Sequence, residues 1–210
     1  MRNKQNDNDE EQEFVGRIIC RQQSCYREMM TRYGQRVMSL VSRMVSDPRD
    51  AEELAQDAFV RAFTNISTYD ATKSSLSTWL LRIAYNVALN HLRRKHPKII
   101  HIYSWMEERR KETDEEDDRN FIDENGDIYT DDIFCTGNEQ HIRMLEKCID
   151  TLPVEERTLL SLYYYDNLPM QEISQILGYK PSTLSLRMFR IRRKLRNMIE
   201  GGLKKKNIHQ

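Results

Sequence analysis

The segment from residue 104 to residue 138 constrains the folding of this 210-residue chain more than any other feature. It holds 13 acidic and 4 basic side chains, and its apolar residues show little periodicity. A stretch with so much charge of one sign repels itself and buries too little apolar surface to fold alone. We therefore expect an extended acidic linker over 104–138, with a separately folded part on each side.

Both of these parts are predicted to be helical. The chain has only 7 Gly and 5 Pro, and its long turn-free stretches are rich in residues that favour helices. Between Tyr26 and Val45, apolar residues recur every three or four positions, which is the period of one helix face. We predict an all-α fold in which a small helical bundle is followed by a small helix-turn-helix domain.

Composition also predicts where these domains begin and end. Residues 1–12 are polar and acidic and are expected to be a disordered lead, followed by a first domain over 13–103. The second domain is expected over 139–198, and 199–210 is expected to be a basic tail. The sequence has no uncharged apolar stretch long enough for a membrane helix, so we expect a cytoplasmic protein without membrane insertion.

Charges within the two helical parts are segregated along the sequence. Asp and Glu are absent from Ala71 to Met106, a stretch with six basic residues, and from Ile173 to Ile199, a stretch with seven. The surface of a solvated helix usually mixes both signs, so two acid-free basic stretches indicate binding to a polyanion. Nucleic acid is the leading candidate.

A helix start is predicted at Asp47-Pro48, because Asp47 can cap free amides and Pro48 fits a first helical turn. The helix that follows has one apolar face. Its opposite face carries Glu52, Glu53, Gln56, Asp57 and Val60. Periodicity leaves open whether this acidic face is merely solvated or docks a basic partner.

The next helix is expected from Thr78 to Arg94, with Ser77 as its cap, and carries a polar stripe without a carboxylate. The stripe consists of Arg82, Asn86, Asn90 and Arg93, at spacings of four, four and three. Arg and Asn hydrogen-bond phosphates and base edges, so this stripe is a plausible DNA face. Trp79 and Tyr69 offer aromatic surface for an unstacked base, although a lone Trp here is more often part of a core.

The second domain has the layout of a helix-turn-helix. A short helix is predicted from Met170 to Leu177, Gly178 is expected to end it in a left-handed conformation, and Pro181 begins a last, basic helix. Two helices joined by a tight Gly-containing turn place the second helix in the DNA major groove in proteins of this type.

These stretches resemble a known family. Asp50–Phe59 and Ser77–Arg94 look like region 2 of the extracytoplasmic-function class of bacterial sigma factors, and Leu152–Arg157 with the helix-turn-helix after it looks like region 4. The resemblance implies a non-catalytic specificity subunit that binds core bacterial RNA polymerase and promoter DNA. Members of the class often pair with an anti-sigma factor, so one is expected as a partner here.

The resemblance also implies roles for individual residues. The helix that docks on the clamp coiled coil of the largest polymerase subunit maps to Asp50, Glu52, Glu53, Gln56 and Asp57. Contact with the −10 element, including a flipped base, maps to Asn65, Tyr69, Lys73, Ser77, Trp79, Arg82, Asn86, Asn90 and Arg93. Reading of the −35 element maps to Ser182, Thr183, Ser185, Leu186, Arg187, Arg190 and Arg193. The family usually has Gly and Lys where this chain has Ser182 and Ser185, which leaves the base preference at −35 open.

Three other classes of function are alternatives to a polymerase subunit: a stand-alone regulator, an enzyme and a protein-interaction module. A conventional regulator would use the helix-turn-helix as its reader and residues 13–103 for dimerisation, and would bind duplex DNA without polymerase. A nucleic-acid-processing enzyme would need a nucleophile, paired carboxylates or metal ligands. The four cysteines lack C-x-x-C pairing and His partners, and no catalytic residue, metal site or cofactor is expected. Helices that served only protein interaction would leave the acid-free stretches unexplained.

Overall fold

The computed structural model describes residues 4–20, 23–95 and 139–207, and over these ranges its regular elements are all helices. The α-helices are α1 (Lys4–Ile19), α2 (Gln23–Met44), α3 (Pro48–Asn65), α4 (Leu76–Lys95), α5 (Glu139–Asp150), α6 (Val154–Tyr164), α7 (Met170–Leu177) and α8 (Pro181–Asn207). A 3₁₀ turn, Ile66–Thr68, follows α3. The all-α prediction is confirmed, and the predicted acidic linker lies outside the described residues. No helix in the described ranges is long and apolar enough to cross a membrane.

Contacts divide the chain into two compact units. The first consists of Met1–His96 and Ser161–Tyr179, so it contains α1 to α4, the end of α6 and all of α7. The second consists of Pro97–Leu160 and Lys180–Gln210. Among the described residues of the second unit, α5 packs against α8.

The core of the first unit lies between α2, α3 and α4, which pack against one another pairwise. Its central side chains are Val37, Leu40 and Val41 of α2, Ala55, Ala58 and Ala62 of α3, and Leu80, Ala84 and Ala88 of α4. The small alanines on α3 and α4 allow these two helices to approach closely, because interaxial distance depends on the side chains at the contact. This packing fixes the outer faces of α3 and α4, where the candidate binding residues lie.

Two of the predicted helix ends are confirmed. Asp47 accepts a hydrogen bond from the Arg49 amide at 2.9 Å, and Pro48 stands in the first turn of α3. Gly178 ends α7 in the left-handed region, at φ 80° and ψ 18°, and its amide donates to the Ser174 carbonyl at 2.9 Å. That conformation costs glycine little, so Gly178 allows the tight turn into α8.

The predicted cap of α4 is wrong. The helix begins at Leu76, and the hydroxyl that accepts a hydrogen bond from the Thr78 amide belongs to Ser75, at 3.2 Å. Ser77 lies inside the first turn, where its hydroxyl accepts from an Arg36 guanidinium nitrogen at 2.9 Å. Two serines two positions apart are equivalent caps by propensity. The burial of Leu76 and Thr78 favours Ser75 as the cap. A helix that began after Ser77 would not hold Leu76 in the core.

Residues 4–12, which were predicted to be part of a disordered lead, belong to α1 in the structure. The helix is anchored on α2 through Phe14 and Ile18, each only 1% exposed. Once a helix has formed, each added residue is ordered at little cost, so the anchored turns extend back into the polar residues. A composition window that stops at residue 12 does not include these anchors.

The predicted boundary at residue 198 does not end a structural element. Helix α8 continues to Asn207, so most of the predicted basic tail, 199–210, is helical. The buried stripe of this helix is Leu184, Met188, Ile191, Leu195 and Ile199. Ile199 therefore continues the helical period past the predicted boundary, which explains why the helix does not stop there.

Candidate nucleic-acid and polymerase surfaces

The polar stripe predicted on α4 is exposed as a single face. Arg82, Asn86, Asn90 and Arg93 all lie at the surface, while the other side of the helix is buried against α2 and α3. The eleven-residue separation between Arg82 and Arg93 corresponds to about 17 Å along the helix axis. A surface of that length, with guanidinium groups at its ends and amides between them, can contact several successive nucleotides.

A shallow depression lies beside this stripe. It has a volume of about 280 Å³ and is lined by Arg61, Asn65, Thr68, Trp79, Ile83 and Asn86. The Trp79 ring is half-buried and meets the Tyr69 ring edge-on, with centroids 5.7 Å apart. An aromatic ring with amide and guanidinium groups around it is the chemistry that holds an unpaired base. The depression brings together three predicted −10 residues, Asn65, Trp79 and Asn86.

Three residues that line the depression, Arg61, Thr68 and Ile83, were not among the predicted −10 residues. Arg61 and Thr68 stand beside the expected set, and Arg61 also pairs with Asp57 at 3.0 Å. The i,i+4 spacing of Arg61 and Asn65 on α3 is the signal that could have identified Arg61, because such residues share a helix face.

The α3–α4 loop, residues 66–75, is fixed by the side chain of Asp70. This carboxylate accepts hydrogen bonds from the Thr72 hydroxyl at 2.6 Å and the Thr72 amide at 3.0 Å, and pairs with Lys73 at 3.0 Å. The hydrogen bonds from Thr72 and then from Lys73 lower the pKa of Asp70 to about 2. Predicted −10 residue Lys73 therefore has an ion-pair partner within the loop, although its side chain is 81% exposed.

Tyr69 is tied into the same loop and to α1. The single proton of its hydroxyl is shared between the Glu11 carboxylate, at 2.7 Å, and the Ser74 carbonyl, at 3.1 Å. Burial, followed by the hydrogen bond to Glu11, raises the pKa of the Tyr69 phenol. The hydroxyl of Tyr69 is therefore engaged in hydrogen bonds within the protein. Its ring, which contacts the Trp79 ring, is the part that could serve the predicted −10 role.

Helix α7 covers the start of α4. Glu172 accepts a hydrogen bond from the Thr78 hydroxyl at 2.8 Å, and Gln175 donates to the Lys73 carbonyl at 2.9 Å. On the approach to α7, Asp166 pairs with Arg43 at 3.0 Å. The loop end of the candidate DNA face is thus in contact with α7, whereas the stripe on α4 remains exposed.

The outer face of α3 is acidic with an apolar residue near one end. Glu52, Glu53 and Gln56 are exposed, and Val60 follows one turn later with 61% of its surface exposed. An apolar side chain next to carboxylates can contribute burial and charge complementarity to a basic helical partner. Val60 was placed on this face by periodicity but was not among the predicted polymerase-binding residues.

Asp50 differs from the other residues predicted for polymerase docking. Its carboxylate is hydrogen-bonded to the Lys95 ammonium and lies 3.5 Å from the ring nitrogen Nε2 of His91, so it links α3 to α4. The hydrogen bond with Lys95 lowers the pKa of Asp50 and raises the pKa of Lys95. Asp50 is therefore paired with Lys95 of α4, whereas Glu52 and Glu53 face solvent.

The residues predicted to read the −35 element lie on the first half of α8. Ser182 and Arg193 are exposed, and the other five are half-buried: Thr183, Ser185, Leu186, Arg187 and Arg190. At about 100° per residue, all but Ser185 fall within an arc of about 140°. Arg192 lies outside this arc and is 8% exposed, so one arginine of the acid-free stretch belongs to the interior.

Comparison with known proteins assigns both halves of the chain. Residues 29–97 match the family model of sigma-70 region 2, and residues 142–195 match that of sigma-70 region 4. SigK of Mycobacterium ulcerans (strain Agy99), an ECF RNA polymerase sigma factor, is 31% identical over 165 residues, which cover 79% of this chain and 80% of SigK. The chain belongs to the extracytoplasmic-function (ECF) sigma factors. The resemblance inferred from the sequence is confirmed.

Other relatives agree with this assignment. The ECF sigma factor SigW of Bacillus subtilis (strain 168) is 28% identical over 177 residues, covering 84% of this chain and 90% of SigW. The chain is thus an RNA polymerase sigma factor, and the alternative of a stand-alone regulator is not favoured. The residues that match region 2 begin within α2 and include α3 and α4, and α1 lies before them.

Solved structures share the fold of this ECF sigma factor. CnrH in complex with the cytosolic domain of CnrY aligns with a TM-score of 0.59 at 15% identity, over 91% of this chain and 97% of CnrH. The sigma factor RpoE in complex with the anti-sigma factor NepR, from Bartonella quintana, aligns with a TM-score of 0.50 at 18% identity, over 83% and 96%. At these identities the likeness concerns the fold alone.

Proposed function

We propose that this sigma factor directs core RNA polymerase to promoters through three surfaces. The outer face of α3 docks on polymerase, α4 with the α3–α4 loop holds the melted −10 strand, and α8 reads the −35 duplex. The observation that carries the proposal is the depression beside Trp79, which adjoins the exposed Arg and Asn stripe of α4.

Strand opening follows from a difference in affinity between two states of DNA. An unstacked base is available to the depression only when the −10 duplex has melted, so binding there shifts DNA toward the melted form. Flipping a base costs a few kcal/mol, and stacking it on an aromatic ring returns about 1–3 kcal/mol. Base stacking alone therefore roughly offsets the cost. Phosphate contacts from Arg82 and Arg93 would supply the surplus that favours the open state.

Reading of the −35 element uses a different geometry. The B-DNA major groove is about 12 Å wide and admits one helix. The six residues in the arc on α8 occupy one side of the helix, so they can contact base edges and flanking phosphates while Leu184 and Met188 remain in the core. Arg187 and Arg190 are the side chains best suited to bidentate contact with guanine.

Polymerase supplies the bond-making chemistry in this proposal, and the sigma factor supplies recognition. It would therefore act in the cytoplasm, where it meets core polymerase and promoter DNA. RpoE was solved with an anti-sigma factor and shares the fold, which supports an anti-sigma factor as a further partner of this chain.

Run-off transcription tests the proposal. Purified core polymerase is incubated with genomic fragments, with and without the full chain, and transcript start sites are mapped. We expect new start sites that require the protein. Absence of association with core polymerase, or identical start sites in both reactions, would overturn the proposal.

A charge-reversal variant and a matched control give the test residue-level resolution. Arg82→Glu with Arg93→Glu should abolish the new transcripts while leaving association with core intact. Arg27→Glu reverses a charge at an exposed position of α2 outside the candidate surfaces and should transcribe like the wild type. Sequence-specific binding to a palindromic duplex without polymerase would instead support a stand-alone regulator.

A further inference from the structure

One carboxylate of α1 joins the two sides of the α3–α4 loop. Glu11 Oε2 accepts a hydrogen bond from the Tyr69 hydroxyl at 2.7 Å, and its Oε1 accepts from the Leu76 amide at 2.9 Å. Tyr69 lies near the beginning of the loop, and Leu76 is the first residue of α4. The side chain of Glu11 is half-buried, and α1 precedes the residues that match region 2.

These hydrogen bonds connect Glu11 to the depression. The Tyr69 hydroxyl donates to Glu11, and the Tyr69 ring contacts the Trp79 ring, which lines the depression. The second oxygen of Glu11 occupies the amino-terminal end of α4, where the helix dipole favours a negative charge. Glu11 therefore fixes both the aromatic pair and the start of the helix that carries the polar stripe.

The charge of Glu11 makes its position informative. A carboxylate close to a DNA-binding surface repels phosphates, so on charge alone Glu11 should weaken binding. Helix α1 does not need this residue for attachment, because Phe14 and Ile18 anchor it in the core. A half-buried acid with two donors at this place is best explained by the geometry it imposes on the loop.

We propose that Glu11 is a positioning residue for recognition of the −10 strand, because its carboxylate holds the α3–α4 loop and the Tyr69–Trp79 pair in the binding conformation. Helix α1 then supports the promoter-reading surface through this loop. The inference rests on the proposed function, since it assigns to Glu11 the shape of the same −10 site.

The first test compares Glu11→Gln with Glu13→Gln. Both variants remove one negative charge from α1, and Glu13 is exposed. Each full-length variant is bound to core polymerase and titrated with the single-stranded non-template −10 strand of a promoter that the wild type uses. Because the neutral amide of Gln can offer only uncharged hydrogen bonds to Tyr69 and to the Leu76 amide, Glu11→Gln replaces two charge-assisted hydrogen bonds with weaker ones and should bind about 5- to 30-fold more weakly. Glu13→Gln should bind equally or slightly more tightly.

Loss of a negative charge alone should strengthen strand binding, whereas loss of positioning should weaken it. The two explanations therefore predict opposite changes in the affinity of Glu11→Gln. If Glu11→Gln binds the strand as tightly as Glu13→Gln does, Glu11 acts only as a charge and the inference is overturned. Discrimination between the −10 strand and a scrambled strand should also fall in Glu11→Gln. A purely structural role would lower thermal stability but leave discrimination by the folded protein unchanged. Circular dichroism establishes that each variant is folded.

A second variant tests whether Glu11 acts through Tyr69. Tyr69→Phe removes the hydroxyl that donates to Glu11 and keeps the ring beside Trp79. If the two residues act together, the loss of strand affinity in the double variant should be smaller than the product of the two single losses. Multiplying losses would show that Glu11 acts independently of Tyr69 and would contradict the proposed route.

Hydrogen exchange separates failure of the inference from failure of the proposed function. If the wild-type protein bound no strand even with core polymerase, the proposed function would fail, whereas the exchange measurement would still report on positioning. Glu11→Gln should raise the exchange rate of the Leu76 amide and of the α3–α4 loop, and Glu13→Gln should not. Unchanged exchange in Glu11→Gln would overturn the positioning role.

Discussion

Helices α4 and α8 carry the two candidate DNA surfaces of this sigma factor, and they present their polar residues in different ways. On α4 the stripe is exposed and adjoins an aromatic depression whose loop is fixed by Asp70 and Glu11. On α8 all of the predicted residues except Ser185 form a single arc, most of them half-buried, beside a buried apolar stripe.

This difference corresponds to the two states of DNA that the surfaces are proposed to bind. A single strand offers unstacked bases, and a rigid aromatic platform recognises them without a groove. A duplex offers base edges only inside its groove, so a narrow helix face is required. The different presentation of polar residues on α4 and α8 is therefore what the proposed binding of melted DNA by α4 and of duplex DNA by α8 requires.

The largest effect is expected from Trp79→Ala, which should separate the two surfaces. Loss of base stacking, together with loss of the contact to Tyr69, should cost the open complex about 2–4 kcal/mol. Binding of the −35 duplex should be unchanged. Fluorescence of a base analogue at −10 measures opening, and circular dichroism controls for unfolding. Equal losses at both elements in a folded variant would remove the distinction between α4 and α8.

Arg190→Ala should have a somewhat smaller effect, confined to α8. If Arg190 contacts a base, binding of the −35 duplex should weaken by about 1–3 kcal/mol and preference at one position should relax. Arg196→Ala provides the control, since Arg196 is also half-buried on α8 but lies outside the arc. Competition binding with single-base variants of the −35 duplex measures the effect. A loss as large in Arg196→Ala would show that the arc does not define the reading surface.

Val60→Asp tests whether polymerase docking is separate from both DNA surfaces. Burial of an exposed apolar side chain at a protein interface is worth about 1–2 kcal/mol, so affinity for core polymerase should fall about tenfold. Met30→Asp is the matched control, because Met30 is an exposed apolar residue of α2. Fluorescence anisotropy with labelled protein gives both affinities. Equal losses in the two variants would indicate a nonspecific effect of the new charge.

The smallest effect concerns acid sensitivity of the α3–α4 loop. The pKa of Asp70 is about 2 in the folded protein and rises to roughly 4 on unfolding. The stabilisation from its ionised form is therefore complete above about pH 4 and is lost as the pH falls toward 2. Asp70→Asn should lose less stability than the wild type between pH 5 and pH 3. Parallel pH dependence of thermal unfolding in the two proteins would contradict this assignment.

Periodicity and helix-end chemistry predicted much of the fold and the exposed stripe on α4. Arg82 to Arg93 could be predicted because the apolar residues between them specify one buried side. The position of Asp50 could not, since pairing with Lys95 and His91 depends on how α4 packs against α3. Glu11 could not be predicted for the same reason. Its hydrogen-bond donors, Tyr69 and Leu76, are remote in sequence, and local composition carries no information about such contacts.

One competition measurement tests the central claim directly. Holoenzyme formed from core polymerase and the full chain is presented with four probes, which are the −10 and −35 segments of a used promoter, each as a single strand and as a duplex. The account predicts opposite preferences, with the single non-template strand bound more tightly at −10 and the duplex bound more tightly at −35. Preference for the same form at both elements would contradict it.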